Sequence, residues 1–400
     1  MTANAASAPP TSAGAAPIKV MIVDDSVFIR GLLSNWLSES GEFQVVASHA
    51  NGRRAADDVQ RAQPDLVILD LEMPQMDGLT ALPLILERKA GTAVLVASAL
   101  TRRGAEVSLR ALTLGAADYI PKPDAARGVA AADEFRSELL AKARSLGARA
   151  RRRGIPRPPI GPAAVSTAAP AAVASTTAFA PAPAVVASGP ESAPATPRRM
   201  RPFSMMPVGI LAIGSSTGGP QALTRLFADV GPYIGSIPVV LVQHMPATFT
   251  PILAEHIARA SGRPCAEGRD GEAIRPGQIY VAPGGLHMKL VKENGQVLIR
   301  LNEEPPVNFC RPAVDPLFDS VAALYGTAAL GVVLTGMGAD GAKGAVRIAD
   351  SGGSILAQDE ESSVVWGMPG ATFAAGACAA VLPIADIGRR VTRLVTGGRE

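Results

Sequence analysis

Residues 154–207 constrain this chain more than any other segment. Twelve of the 54 positions are Pro and 14 are Ala, with almost no aromatics and no repeating apolar period. Such a stretch cannot bury enough surface to offset the entropy of ordering it, which predicts an extended, partly polyproline linker. The chain then divides into a disordered tail over 1–17, a folded unit over 18–145, an Ala/Pro/Arg-rich linker over 146–207 and a second folded unit over 208–396. With 400 residues and 48% apolar composition, each unit can build its own core.

Composition also excludes several classes. No apolar run approaches the roughly 18 residues of a membrane helix, so no membrane insertion is expected. The first 17 residues carry no basic residue and no Leu-rich stretch, unlike a signal peptide. Cys265, Cys310 and Cys378 are odd in number and never at Cys-x-x-Cys spacing, which points to reduced thiols in a cytoplasmic protein and away from a disulfide or zinc framework. Residues 139–207 hold ten basic residues against the single acid Glu191, so the other parts of the chain are net negative although the total is +3. The basicity belongs to one segment, which argues against a nucleic-acid-binding domain.

Both units alternate short apolar runs with amphipathic stretches, the pattern of doubly wound parallel α/β sheets. In the first unit, strands are expected at Lys19–Val23, Gln44–Ala47, Leu66–Leu69, Val94–Ala97 and Asp118–Ile120, with a last helix over Ala130–Leu146. In the second they are expected at Val208–Ile213, Pro238–Gln243, Gln278–Val281, Ala329–Leu334, Ser354–Ala357 and Ala379–Pro383. A hairpin over His287–Leu301 should turn through Glu293-Asn294-Gly295.

Asp24 and Asp25 end the first strand, Asp70 ends the third, Ser98 follows the fourth and Lys122 follows the fifth. The carboxyl ends of strands in an open parallel sheet share one crevice, so these side chains should converge. Clustered carboxylates are hard oxygen ligands suited to Mg²⁺, and an adjacent Lys offers positive charge to phosphate oxygens. This set resembles the response-regulator receiver family over nearly all of 18–145. The resemblance implies that Asp70 accepts a phosphoryl group from a partner histidine kinase. It also implies that Asp24, Asp25, Asp70 and the backbone carbonyl of Glu72 hold Mg²⁺, with Ser98 and Lys122 as switch residues. Tyr119 stands in the region of the family's aromatic switch position.

In the second unit, Gly214-Ser215-Ser216-Thr217-Gly218 follows an apolar strand and precedes a helical pattern. Centred on Ser216 it matches G-x-S-x-G, whose glycines permit a tight strand-to-helix turn exposing the Ser oxygen. Such a turn can also cradle a phosphate, and Ser215 and Thr217 are rival hydroxyls. A serine nucleophile needs a base. His244 directly follows one apolar strand, and His287, opening the hairpin, is a second candidate. Asp340 follows another strand and can orient an imidazole. Groups just past three strand ends should meet in one crevice.

These residues, with Gln243–Pro246, Tyr280–Gly284, His287-Met288, Arg311–Asp315 and Leu334–Gly341, resemble the catalytic domain of the chemotaxis protein-glutamate methylesterase (CheB) family over about 208–396. The resemblance implies Ser216 as nucleophile, His244 as general base, Asp340 as its orienter and the Met337 backbone N–H as an oxyanion donor. The implied activity is demethylation of glutamate methyl esters on chemotaxis receptors, with deamidation of specific glutamines, by a protein recruited to membrane receptor arrays. The family also implies an unphosphorylated receiver that covers the catalytic cleft. A flexible tether of about 60 residues reaches roughly 40–45 Å, so confinement alone is weak and inhibition requires a specific docking surface. The rival reading is a response regulator whose output domain only binds, for instance DNA through the basic segment 142–157.

Overall fold

The computed structural model describes residues 16–122, 128–154 and 200–398. Residues 1–15 of the expected tail, 155–199 of the expected linker and Pro123 lie outside them.

The first unit is a five-stranded parallel sheet of β1 (Ile18–Val23), β2 (Phe43–His49), β3 (Leu66–Asp70), β4 (Ala93–Ser98) and β5 (Asp118–Pro121), in the order β2-β1-β3-β4-β5. Strands β1, β3, β4 and β5 are almost wholly buried because helices cover both faces, whereas edge strand β2 buries only Phe43. Helices α1 (Val27–Glu39) and α5 (Gly128–Gly154) pack on one face, through Leu33, Leu37, Phe135, Leu139, Ala143 and Leu146. On the other lie α2 (Gly52–Ala62), α3 (Gly78–Arg88) and α4 (Arg102–Thr113). Each of α1 to α4 begins at a side chain that accepts a backbone N–H: Ser26, Asn51, Asp77 and Thr101.

Helix α5 extends eight residues past the expected Leu146. Leu139, Ala143, Leu146 and Ala150 keep a helical spacing and stay buried, and Gly147 lets the helix close onto Ile18, where a Cβ would meet the Ile18 side chain at 2.4 Å. Its cations are also engaged. Lys142 Nζ pairs with Asp118 at 2.9 Å and Glu138 at 3.0 Å, donates to the Tyr119 carbonyl at 2.6 Å, and Arg144 pairs with Glu42. Lys142 and Arg144 therefore face acids of their own unit.

The second unit is a seven-stranded parallel sheet. It is built from β6 (Ile210–Ser215), β7 (Val239–Gln243), β8 (Cys265–Glu267) and β9 (Ile279–Val281), a separate antiparallel hairpin of β10 (His287–Glu293) and β11 (Gln296–Asn302), then β12 (Ala329–Val333), β13 (Ser354–Gln358) and β14 (Ala380–Leu382). The sheet order is β14-β13-β12-β6-β7-β9-β8. The chain leaves β6 in one direction and later returns to its other side, so β6, flanked by β7 and β12, is the topological switch point. The hairpin turns through Asn294 and Gly295, both with positive φ (49° and 80°), as expected of Asn-Gly. The three-residue edge strand β8 is too short to carry a sequence period and was not expected. Helices α6 (Gly219–Val230), α7 (Thr250–Ser261) and α11 (Ile384–Val395) cover one face; α8 (Val314–Tyr325), α9 (Ala342–Asp350) and the hairpin cover the other, with α10 (Met368–Ala374) beside α9.

The two units dock. The ring of Tyr119 stacks on Phe249 at 4.6 Å between centroids and 17° between planes. Gln221 Nε2 donates to the Ala116 carbonyl at 2.8 Å, and Arg102 pairs with Glu255 at 3.2 Å. Farther along, α5 reaches the second unit through Ser145 Oγ on Met337 Sδ (3.8 Å) and Arg149 on the Glu361 carbonyl (3.1 Å). One apolar cluster runs unbroken across the boundary.

Lys142 and Asp118 are a buried ion pair beneath Tyr119, with side chains 10% and 2% exposed. Burial opposes the charged form of Lys142, and the two carboxylates more than offset it, holding the ammonium above its ordinary range. Lys142→Met strands Asp118 and is expected to cost about 3–5 kcal/mol in urea unfolding of the full chain. Adding Asp118→Asn should recover most of that loss, and a double variant as unstable as the single one would contradict the pairing.

Candidate active site and phosphoacceptor site

In the first sheet the switch point lies between β1 and β3, and the acids sit there. Carboxylate oxygens of Asp24, Asp25 and Asp70 lie within 4.8 Å of one another, Asp24 and Asp70 buried and Asp25 exposed. Lys122 Nζ bridges Asp24 Oδ2 and Asp70 Oδ2, each at 2.8 Å. Burial pushes the Asp70 carboxyl above its ordinary range, against the pull of Lys122. The Glu72 amide donates to Asp70 Oδ1 at 3.3 Å, which places the Glu72 backbone beside the cluster. Ser98 is buried; its hydroxyl is shared with Ser108 Oγ at 2.6 Å, and its carbonyl accepts the Lys122 amide at 2.7 Å.

In the second sheet Ser216, His244 and Asp340 follow β6, β7 and β12, the three adjacent strands of the switch point. The β6 and β7 ends are tied together. The His244 amide donates to the Ser215 carbonyl (3.1 Å), Ser215 Oγ donates to Gln243 Oε1 (2.7 Å), and Gln243 Nε2 donates to the Ser216 carbonyl (2.9 Å). Ser215 is thereby buried and committed, which leaves half-buried Ser216 as the accessible hydroxyl of the pair. Gly219 is needed for this closeness: a Cβ there would stand 1.9 Å from Gln243 Oε1. The Ser216 amide donates to the Thr335 carbonyl at 3.0 Å, which joins the β6 and β12 ends.

His244 Nε2 lies 2.7 Å from Asp340 Oδ2. The Asp340 carboxylate also accepts the amides of Val314 (2.6 Å) and Asp315 (3.2 Å), the first two residues of α8, and Asn308 Nδ2 (3.0 Å). Helix α8 has no capping side chain of its own, so Asp340, just before α9, caps it. Asp315 returns the contact by accepting the Gly344 amide in the first turn of α9 at 2.8 Å. Asn308 donates to both carboxylates, reaching Asp315 Oδ2 at 3.1 Å. Burial raises Asp340, and its bonds from His244, Val314 and Asn308 outweigh it, so its carboxyl is held below the ordinary range. Asp315 is raised, chiefly by burial.

His287, the rival base, is fully buried with both ring nitrogens used, one on the Pro305 carbonyl (3.1 Å) and one on the Ala313 amide (3.3 Å). It anchors the hairpin to the start of α8. The residues that sequence reasoning missed are Asn308 and Cys310; Cys310 Sγ lies 3.4 Å from His244 Nδ1. The Met337 amide donates to no acceptor among the described residues, and Met337 is half-buried under α5.

Residues 211–391 match the CheB methylesterase family model, and residues 20–133 match the response regulator receiver domain model. A relative from Bradyrhizobium diazoefficiens, named protein-glutamate methylesterase/protein-glutamine glutaminase of group 2 operon, is 51% identical over 98% of this chain and 97% of its own. A relative of the same name from Rhodopseudomonas palustris is 52% identical over 100% of both chains. The crystal structure of the Thermotoga maritima CheB methylesterase catalytic domain is 40% identical, covering 48% of this chain and 100% of that one, with a TM-score of 0.46. Fold and matches together define a response regulator with a hydrolytic output domain. The chain belongs to the protein-glutamate methylesterase/protein-glutamine glutaminase family.

Burial disfavours a charged His244, but its bonds to Asp340 and Cys310 outweigh that penalty and raise the ring to about 9. The ring is expected to titrate near that value when followed by NMR. Asp340→Asn should bring its midpoint down by one unit or more, since one unit is about 1.4 kcal/mol of differential interaction. An unmoved midpoint would show that the carboxylate does not govern the ring.

Proposed function

We propose that this chain demethylates glutamate γ-methyl esters on chemotaxis receptors and deamidates specific receptor glutamines at the same site, under control of phosphorylation at Asp70. The observation that carries this reading is the His244–Asp340 pair at 2.7 Å, tied through the backbone to Ser216 at the switch point of the sheet.

Ser216 Oγ attacks the ester carbonyl, and His244 takes its proton while Asp340 holds the imidazole in place. The tetrahedral oxyanion is received by the Met337 N–H, which has no protein acceptor among the described residues. Collapse breaks the carbon–oxygen bond, His244 returns the proton to the leaving methoxide, and methanol departs. A water, deprotonated by the same imidazole, then hydrolyses the acyl-enzyme. With a glutamine substrate the leaving group is ammonia and the steps are the same.

In the first unit, three carboxylates face a single Lys122, a donor set of hard oxygens with charge to spare that fits a divalent cation such as Mg²⁺. Asp24, Asp25, Asp70 and the Glu72 carbonyl would hold it, and when bound it would neutralise charge during phosphoryl transfer. An Asp70 carboxylate oxygen attacks the phosphorus of a phosphohistidine on a chemotaxis histidine kinase, the O–P bond forming as the P–N bond breaks and the kinase imidazole leaves. Lys122 exchanges its carboxylate partner for phosphoryl oxygens. The added charge, about −1.5 to −2, draws on Lys122 and Ser98, whose backbones are bonded to each other. Lys122 is three residues from Tyr119, so the change is transmitted directly to the ring docked on Phe249. The docked state is the resting one, with α5 against Met337 beside the oxyanion position. A specific docking surface is what a long tether requires, and phosphorylation acts by weakening it.

Among the described residues no helix is long and apolar enough to cross a membrane. We place the chain in the cytoplasm, recruited to membrane receptor arrays, with no nucleic-acid partner. Lys142 and Arg144 are paired internally, so they do not support the DNA-binding alternative.

Methanol release from methylated receptor membranes tests the reading. Ser216→Ala and His244→Gln should each lose on the order of 10⁴-fold or more. Equal release by wild type and Ser216→Ala would overturn it. For the switch, Tyr119→Ala should raise the rate of the unphosphorylated chain. Asp70→Ala should remove the stimulation given by a small-molecule phosphodonor with Mg²⁺. A Tyr119→Ala chain no faster than wild type would mean that the stacked ring does not restrain the enzyme.

A further inference from the structure

Both ring nitrogens of His244 are engaged in this structure, and neither by Ser216. Nε2 is bonded to Asp340 Oδ2, and Nδ1 faces Cys310 Sγ at 3.4 Å. Because Nε2 belongs to the carboxylate, Nδ1 is the nitrogen left to take a proton from the nucleophile. The Ser216 hydroxyl makes no hydrogen bond among the described residues. The sulfur therefore occupies the nitrogen that the nucleophile needs.

Cys310 is placed there by a built turn. Val307 and Cys310 exchange backbone hydrogen bonds at 3.1 and 2.9 Å around Asn308 and Phe309. Both central residues have positive φ (51° and 64°), a conformation that non-glycine residues rarely adopt and that surrounding contacts must maintain. Those contacts are the two bonds from Asn308 to Asp340 and Asp315. One turn thus reaches both members of the dyad, Asn308 to the carboxylate and Cys310 to the imidazole.

A thiol suits this position because its sulfur is a weak hydrogen-bonding partner, able to accept from the charged ring, and it fills space. It can keep the ring seated on Asp340 while no substrate is present, and a hydroxyl can displace it at little cost. We propose that Cys310 is a positioning residue for ester hydrolysis, occupying His244 Nδ1 in the resting enzyme and yielding it to Ser216 when substrate binds. This rests on the assignment of Ser216 and His244 above. The groups facing the ring are Asp340 from the loop after β12 and Cys310 from the turn before α8, with Asp315 one step farther through Asn308. Asp340 and Cys310 both favour the charged ring.

The first test is the pH dependence of methanol release by the full chain, activated with phosphodonor, for wild type, Cys310→Ala and Cys310→Ser. In the Ala variant the acid limb of kcat/KM should move to lower pH by about half to one unit, the scale of one neutral hydrogen bond. The plateau kcat should fall several-fold with KM little changed, and Ser, whose oxygen can also accept from the ring, should restore part of both. A loss equal at every pH, with the limb unmoved in both variants, would assign Cys310 a packing role and overturn the proposal.

The second test does not depend on the nucleophile. Iodoacetamide alkylates thiols, forming the S–C bond as iodide leaves and the proton passes to base, and mass spectrometry reads each site. Cys265 and Cys378, pushed by burial to about 12, serve as slow internal references. Cys310 should be labelled several-fold more slowly at pH 7 in His244→Gln than in wild type. Equal rates would overturn the pairing. Residual esterase activity in Ser216→Ala with this labelling difference intact would instead overturn only the Ser216 assignment.

Discussion

The catalytic domain is organised around where the Asp340 carboxylate finds its donors. It is buried, yet it accepts the His244 ring, two amides at the start of α8 and the Asn308 side chain. An ionised carboxylate in such a place is tolerated only when fully bonded. The bonds that satisfy it also fix α8, the turn carrying Cys310, and the imidazole. Helices α8 and α9 cap each other by exchanging Asp340 and Asp315, so the orientation of His244 is set by the packing of two helices and not by a flexible loop. Gly214 and Gly341 complete the arrangement, since a Cβ on either would collide with Val314 at 2.5 and 2.9 Å.

The two domains use the same architecture to different electrostatic ends. Each site lies at the switch point of a parallel sheet, where adjacent strand ends open a crevice. In the receiver, three carboxylates are crowded together with one Lys as counter-charge. In the esterase, one carboxylate is spent on one imidazole, and the remaining donors are backbone amides at helix starts without side-chain caps, at Gly218 and Gly341. Receiver helices α1 to α4 are capped by their own Ser, Asn, Asp and Thr; the helices bordering the esterase crevice at Gly218 and Gly341 are not. Free N–H groups at such ends favour developing negative charge.

The contact between domains joins these sites over a short path. Tyr119 lies three residues before Lys122, and its ring is stacked on Phe249, five residues beyond His244. The buried Lys142 supports Tyr119 from beneath, with its ammonium 5.0 Å from the ring centroid and bonded to the Tyr119 carbonyl. From the same helix, Ser145 reaches Met337. The receiver thus touches the catalytic domain through β5 and along α5.

Most of this was legible from the chain itself. Strand cores such as Leu66–Leu69 and Pro238–Gln243 stand out because a strand buried on both faces is continuously apolar, and residues just past them fall at one edge of the sheet by geometry alone. That determined the parallel α/β class, the convergence of Asp24, Asp70 and Lys122, and that of Ser216, His244 and Asp340. What sequence could not decide was anything set by contacts between distant segments. His287 and His244 both lie beside strands, and only the packed structure commits His287 to Pro305 and Ala313. Cys310 and Asn308 follow no strand and belong to no periodic pattern; they reach the dyad because an Asn-Phe turn is held against two carboxylates, Asp340 from the loop after β12 and Asp315 from α8. Helix α5 runs past its expected end because Leu146, Gly147 and Ala150 find β1 to pack on. Local sequence determines which residues stand at strand ends, since that depends only on period and burial. Tertiary structure decides which nitrogen of His244 faces which partner, because that depends on side chains brought together from four separate segments.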